Sequence, residues 1–146
     1  MVDGSPVPGE HSVLRLPLPP KDFTPVGWIP THQDFEPSAQ DKRDALERGV
    51  PVRVSVWDAA LTSPEQARAF RAAIVIVIAG RVHAIIGAGA SAVVYDRLPP
   101  PDDARPGAAG HAGIEGLDRS KGEPKAGWRA RLQTIASSFV VAPTAS

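Results

Sequence analysis

The chain contains no cysteine. That excludes a disulfide framework, a thiolate nucleophile and any cysteine–zinc site. It also lacks a surplus of either charge, with 16 basic side chains against 16 acidic ones. A nucleic-acid binder usually carries a clear basic excess, so nucleic acid is not an expected partner. The opening residues, MVDGSPVPGE, place acids and prolines where a secretory signal needs a basic and then an apolar run. The expected setting is the cytoplasm. Arginine outnumbers lysine 12 to 4 beside abundant alanine, proline and glycine, the imprint of a GC-rich bacterial genome.

What is present is proline and one long apolar stretch. Sixteen prolines in 146 residues are about twice the usual share. They cluster before residue 31 and again from Pro99 to Pro106, where neither regular helix nor inner strand is expected. The apolar stretch runs from Ala72 to Tyr95. It is long enough for a membrane span, but Arg81 and His83 would then lie near mid-bilayer, so no membrane is expected. Within it, Gly87-Ala88-Gly89-Ala90-Ser91-Ala92 matches the G-x-G-x-x-A form of the dinucleotide fingerprint. That fingerprint must open a helix. Ala92-Val93-Val94-Tyr95 reads as strand, so the segment is taken as a hairpin turn and no cofactor is expected.

The plainer reading of the stretch is three short strands: Ile74–Ile78, Val82–Ile86 and Ser91–Tyr95. Five consecutive β-branched residues, from Ile74 to Ile78, favour a sheet. Before it, Val52, Val54 and Val56 alternate with Arg53, Ser55 and Trp57, the period of a strand with one buried face. Ser12–Leu16 reads as an edge strand closed by prolines. Ser38 with Asp41, and Ser63 with Gln66, are capping boxes that start two helices, the first stopped at Gly49. Trp128, Leu132, Ile135 and Phe139 form a narrow apolar stripe on a third helix, from about Ala126 to Ser138.

Residues 98–125 read as a long Pro/Gly-rich loop, and residues 1–11 and 142–146 as disordered tails. The fold expected is α+β over residues 12–141. It has a small, mostly antiparallel central sheet, two or three helices and proline-rich arms. The rival fold sets the Val52–Trp57 and Ile74–Ile78 strands parallel, joined through the Pro64 helix.

No catalytic constellation stands out. The histidines are His11, His32, His83 and His111, none paired at metal-ligand spacing, so no metal site is expected. Asp58 is the best-placed acid, between a strand and a capped helix, where open sheets tend to hold ligands. Asp58, His83, His111 and Lys121 are the candidate ligand-binding residues. Trp128, Arg129 and Arg131 are the candidate partner-binding residues, in a stretch where five basic residues meet one acid. The function these features favour is a non-catalytic interaction or accessory module, such as a small subunit of a bacterial assembly, with a protein partner or self-association. The alternative is a small enzyme or a nucleotide- or anion-binding protein using Asp58 and the 107–125 loop.

Overall fold

The structure, a computed structural model, describes residues 3–17, 30–70, 76–96 and 107–141. The expectations for residues 1–2, 18–29, 71–75, 97–106 and 142–146 lie outside the described residues.

The two capping boxes form as the sequence dictates. The Ser38 hydroxyl accepts the Asp41 N–H at 3.0 Å and the Asp41 carboxylate accepts the Ser38 N–H at 2.8 Å. They start α1 (Ala39–Arg48), which ends at Gly49 with φ +66°, a left-handed conformation glycine takes at little cost. Ser63 and Gln66 exchange the same pair of bonds at 3.1 and 2.9 Å and start α2 (Pro64–Phe70).

Among the described residues six strands form one sheet: β1 (Ser12–Arg15), β2 (Arg53–Asp58), β3 (Ile78–Arg81), β4 (Ala92–Tyr95), β5 (His111–Glu115) and β6 (Val140–Val141). Their order is β4-β5-β2-β1-β3-β6, and every neighbouring pair is antiparallel. With α3 (Val82–Gly87) and α4 (Lys125–Ala136), the described residues make an α+β fold. The rival fold sets the Val52–Trp57 and Ile74–Ile78 strands parallel; among the described residues these become β2 and β3, the latter starting only at Ile78 and running on through Arg81. They do run the same way, but β1 lies between them, antiparallel to both.

One face of the sheet carries Val13, Val54, Val56, Ile78 and Ile114. Onto it pack Val82 and Ile85 of α3, Leu132, Ile135 and Ala136 of α4, then Phe139 and Phe35. The two phenylalanine rings meet at 4.7 Å. The apolar stripe of the last helix thus buries against the chain's own sheet. Each of these side chains other than Ala136 contributes about 1.5–3 kcal/mol by leaving water. The opposite face holds a smaller cluster of Leu14, Leu16, Trp57, Ala67 and Val77.

Four expectations are corrected. β1 is an inner strand, because β3 pairs along its second side. The segment Val82–Ile86 is helix. Val82 and Ile85, three residues apart, bury on one side, while the carbonyls of His11 and Gly9 accept the first N–H groups, at 3.0 and 2.9 Å. Those tertiary partners outweigh the β propensity of branched residues. The 98–125 loop is interrupted by β5, which sits between β2 and β4. Gly113 is there for close packing: a Cβ on it would lie 2.5 Å from the Arg53 Cβ. Finally, residues 4–11 are tied down. Residues 4–7 bond to β4, with Gly4 N–H to Tyr95 C=O at 2.8 Å and Val7 N–H to Val93 C=O at 2.9 Å. This arm covers an edge that would otherwise present unpaired backbone groups. After α3, Ala88–Ala90 turn into β4, so the glycine-rich segment opens a strand and not the helix a dinucleotide turn requires.

Candidate functional site

Asp58 ends β2 with 0% of its surface exposed. Its side chain lies on the face of Val54 and Val56, since residues two apart along a strand share a face. Three donors converge on the carboxylate. The Ala60 N–H donates to Oδ1 at 3.0 Å, closing the turn after the strand. The Tyr95 hydroxyl donates to Oδ2 at 2.6 Å. His11 Nδ1 lies 3.1 and 3.0 Å from the two oxygens.

The elements explain the meeting. Tyr95 stands opposite Ala112 on β5, and Ala112 stands opposite Val56 on β2. A side chain as small as Ala112 lets the tyrosine ring reach across to Asp58. His11 immediately precedes β1, whose Val13 is paired with Asp58. The antiparallel register therefore delivers an imidazole from the arm and a phenol from β4 to one buried carboxylate.

A carboxylate can only accept, so the geometry assigns the His11 proton to Nδ1. Nε2 is then the lone-pair nitrogen, and no described residue is hydrogen-bonded to it. The His11 side chain is 28% exposed, so solvent reaches the ring. Burial pushes the Tyr95 phenol up to about 12, and its hydrogen bond to Asp58 pushes the same way. Tyr95 thus stays a donor at neutral pH. Sequence reasoning missed both His11 and Tyr95 as members of this site. They lie 47 and 37 residues from Asp58, and no local pattern links them to it.

The other sequence candidates lie elsewhere. His111 is opposite Trp57, hence on the other face of the sheet from Asp58. It is buried, with Nδ1 3.1 Å from the Asp96 carbonyl, Nε2 3.2 Å from the Ser55 hydroxyl and its ring edge-on to Trp57. Beside it runs an ion network. Arg53 reaches Asp96 at 2.8 Å and Glu115 at 2.9 Å, and Arg48 reaches Asp96 at 2.6 Å and Asp3 at 3.0 Å. These bonds join α1, β2, β4, β5 and the arm. His83 is exposed on α3, and Lys121 is exposed in the turn before α4.

Part of the basic stretch is engaged within the chain, with Arg119 donating to the Glu123 carbonyl at 2.7 Å. Arg131 donates to the Gly116 and Asp118 carbonyls and to the Glu123 carboxylate. That bond holds the Glu123 carboxyl below the usual range. The Trp128 indole donates to the Leu117 carbonyl at 2.8 Å. Arg129 is exposed, 3.9 Å from Glu36.

Among the described residues, no three His, Asp or Glu side chains are grouped to hold a metal ion. No described helix is long and apolar enough to cross a membrane. No protein-family model, no curated protein and no solved structure matches this chain.

Proposed function

We propose that the protein is a small acid–base catalyst in which His11 transfers the proton. One observation carries this reading. Both oxygens of the buried Asp58 carboxylate lie within 3.1 Å of His11 Nδ1, while Nε2 has no described partner and the ring is open to solvent. Imidazole changes charge near neutral pH. A carboxylate on Nδ1 orients the ring and fixes its tautomer, which leaves Nε2 as the proton-accepting nitrogen. Tyr95 and the Ala60 N–H keep that carboxylate from rotating away. Absence of cysteine fits a reducing cytoplasm, the setting we propose.

The test is hydrolysis of p-nitrophenyl acetate, an activated ester open to general-base attack. His11 Nε2 takes a proton from water as the water oxygen bonds to the carbonyl carbon. The ester C–O bond breaks, p-nitrophenolate leaves with the electron pair, the acyl group departs on the former water oxygen as acetic acid, and the His11 imidazolium returns its proton to solvent. The rate should fall at least tenfold in His11→Ala and in Asp58→Asn, and hold in His83→Ala, whose imidazole has no carboxylate behind it. Equal rates in all four proteins would overturn the proposal.

A second reading, the interaction module, is supported by Val140 and Val141, exposed by 67% and 40% on the sheet's last strand. A protein partner or a second copy would cover them. Sedimentation should then show association that Val140→Lys abolishes. A wild-type chain that stays monomeric speaks against the self-association form.

A further inference from the structure

A concavity of about 410 Å3 lies beside the turn that carries the arm into β1. It is lined by Gly9, Glu10, Arg81, His83 and Ala84. Its size falls within the range of small-molecule sites, roughly 300–1,000 Å3. The nearby backbone is already engaged. The Gly9 carbonyl accepts the His83 N–H at 2.9 Å, the His11 carbonyl accepts the Val82 N–H at 3.0 Å, and the His11 N–H bonds to Pro8 at 3.0 Å. Recognition here falls to side chains.

Those side chains have an unusual balance. Glu10 and Arg81 carry opposite charges and line the same concavity. Neither side chain is ion-paired or hydrogen-bonded to a described residue. The imidazole of His83 beside them is also without a partner among the described residues. A simple anion drawn to Arg81 would meet the repulsion of Glu10, and a simple cation drawn to Glu10 would meet that of Arg81. A ligand bearing both charges satisfies both groups at once, each by a charge-assisted hydrogen bond.

We propose that this concavity binds a small zwitterion, a free α-amino acid. Its carboxylate pairs with Arg81 and takes a further hydrogen bond from His83. Its ammonium pairs with Glu10. Gly9 and Ala84 leave room for a short apolar side chain. This site is independent of His11 chemistry, because Glu10 and Arg81 take no part in the Asp58 cluster.

The test is an amide NMR titration of the full chain with L-alanine, acetate and methylammonium. L-Alanine should shift the amides of residues 9–10 and 81–84 in a saturable way. Acetate and methylammonium should bind at least tenfold more weakly. Glu10→Gln and Arg81→Gln should each weaken L-alanine binding at least tenfold. Both side chains are exposed, so the melting temperature should not change, which separates lost binding from lost folding. Acetate binding as well as L-alanine, variants binding like the wild type, or no saturable shift with L-alanine would each overturn the proposal.

Discussion

Replacing Asp58 by asparagine keeps the shape of the site and removes its charge. In the wild type the carboxylate accepts from Ala60 N–H, the Tyr95 hydroxyl and His11 Nδ1–H, at 3.0, 2.6 and 3.0 Å. An asparagine has one accepting oxygen and an NH2 that only donates. If the oxygen keeps Ala60, the NH2 faces two donors. Tyr95 can turn its hydroxyl to accept, and His11 can move its proton to Nε2. Both bonds then survive only as neutral ones. A hydrogen bond to a charged group contributes about 1.5–3 kcal/mol and a neutral one about 0.5–1.5 kcal/mol. The Ala60 bond is weakened too, since its acceptor becomes a neutral amide oxygen, and three bonds losing about 1–1.5 kcal/mol each give an expected loss of about 3–4.5 kcal/mol. Asp58→Ala, which leaves all three donors unsatisfied beside a cavity, should cost about 4–5 kcal/mol. Urea unfolding followed by circular dichroism measures both, and an unchanged slope shows that the unfolded state is the same. Tyr95→Phe combined with Asp58→Asn should cost less than the sum of the single losses, by about 1 kcal/mol, because the two residues share a bond. An Asp58→Asn protein as stable as the wild type, or more stable, would refute the reasoning. It would mean that burying the charge costs as much as the three bonds contribute.

Three further outcomes follow from the same geometry. Tyr95 is the chain's one tyrosine, so near-ultraviolet tyrosinate absorbance reports it directly. Its value is raised from 10.0 to about 12, so the folded state holds the proton more tightly. The stability this adds is fully present below pH 10 and is lost as pH rises towards 12, and a tyrosinate midpoint near 10 in protein still folded by circular dichroism would contradict it. Gly113→Ala should cost about 1–3 kcal/mol by overpacking, because the new Cβ would stand 2.5 Å from the Arg53 Cβ and push Arg53 off Asp96 and Glu115; thermal melting measures it, and a change under about 0.5 kcal/mol would show that Arg53 can move without loss. Ending the chain after Lys125 removes the buried Leu132, Ile135 and Phe139, worth about 5–9 kcal/mol together at about 1.5–3 each, which rivals the whole stability of a small domain. The shortened chain should not fold, and a cooperative melt at the wild-type temperature would show that α4 is not part of the core.

The features legible in the sequence are those whose causes lie within a few residues. Ser38 and Asp41 cap α1 with bonds three residues apart, and Ser63 and Gln66 do the same for α2. Alternation along Val52–Trp57 marks β2, and the stripe ending at Phe139 marks the buried side of α4. Other features had no local cause to read. Gly113 looks like loop glycine in the sequence, yet it occupies an inner strand because the Arg53 side chain crosses the place of its Cβ. Val82 and Ile85 look like strand residues, yet carbonyls of the arm supply the acceptors that start a helix there. Asp58 was visible as an acid in a promising place. Its partners, His11 and Tyr95, come from the arm and from β4, and only the antiparallel register of β1, β2, β5 and β4 brings them to it. Caps and periodicities are short-range and leave marks in the chain, whereas the meeting of His11, Asp58 and Tyr95 is set by strand order, which no short stretch of sequence encodes.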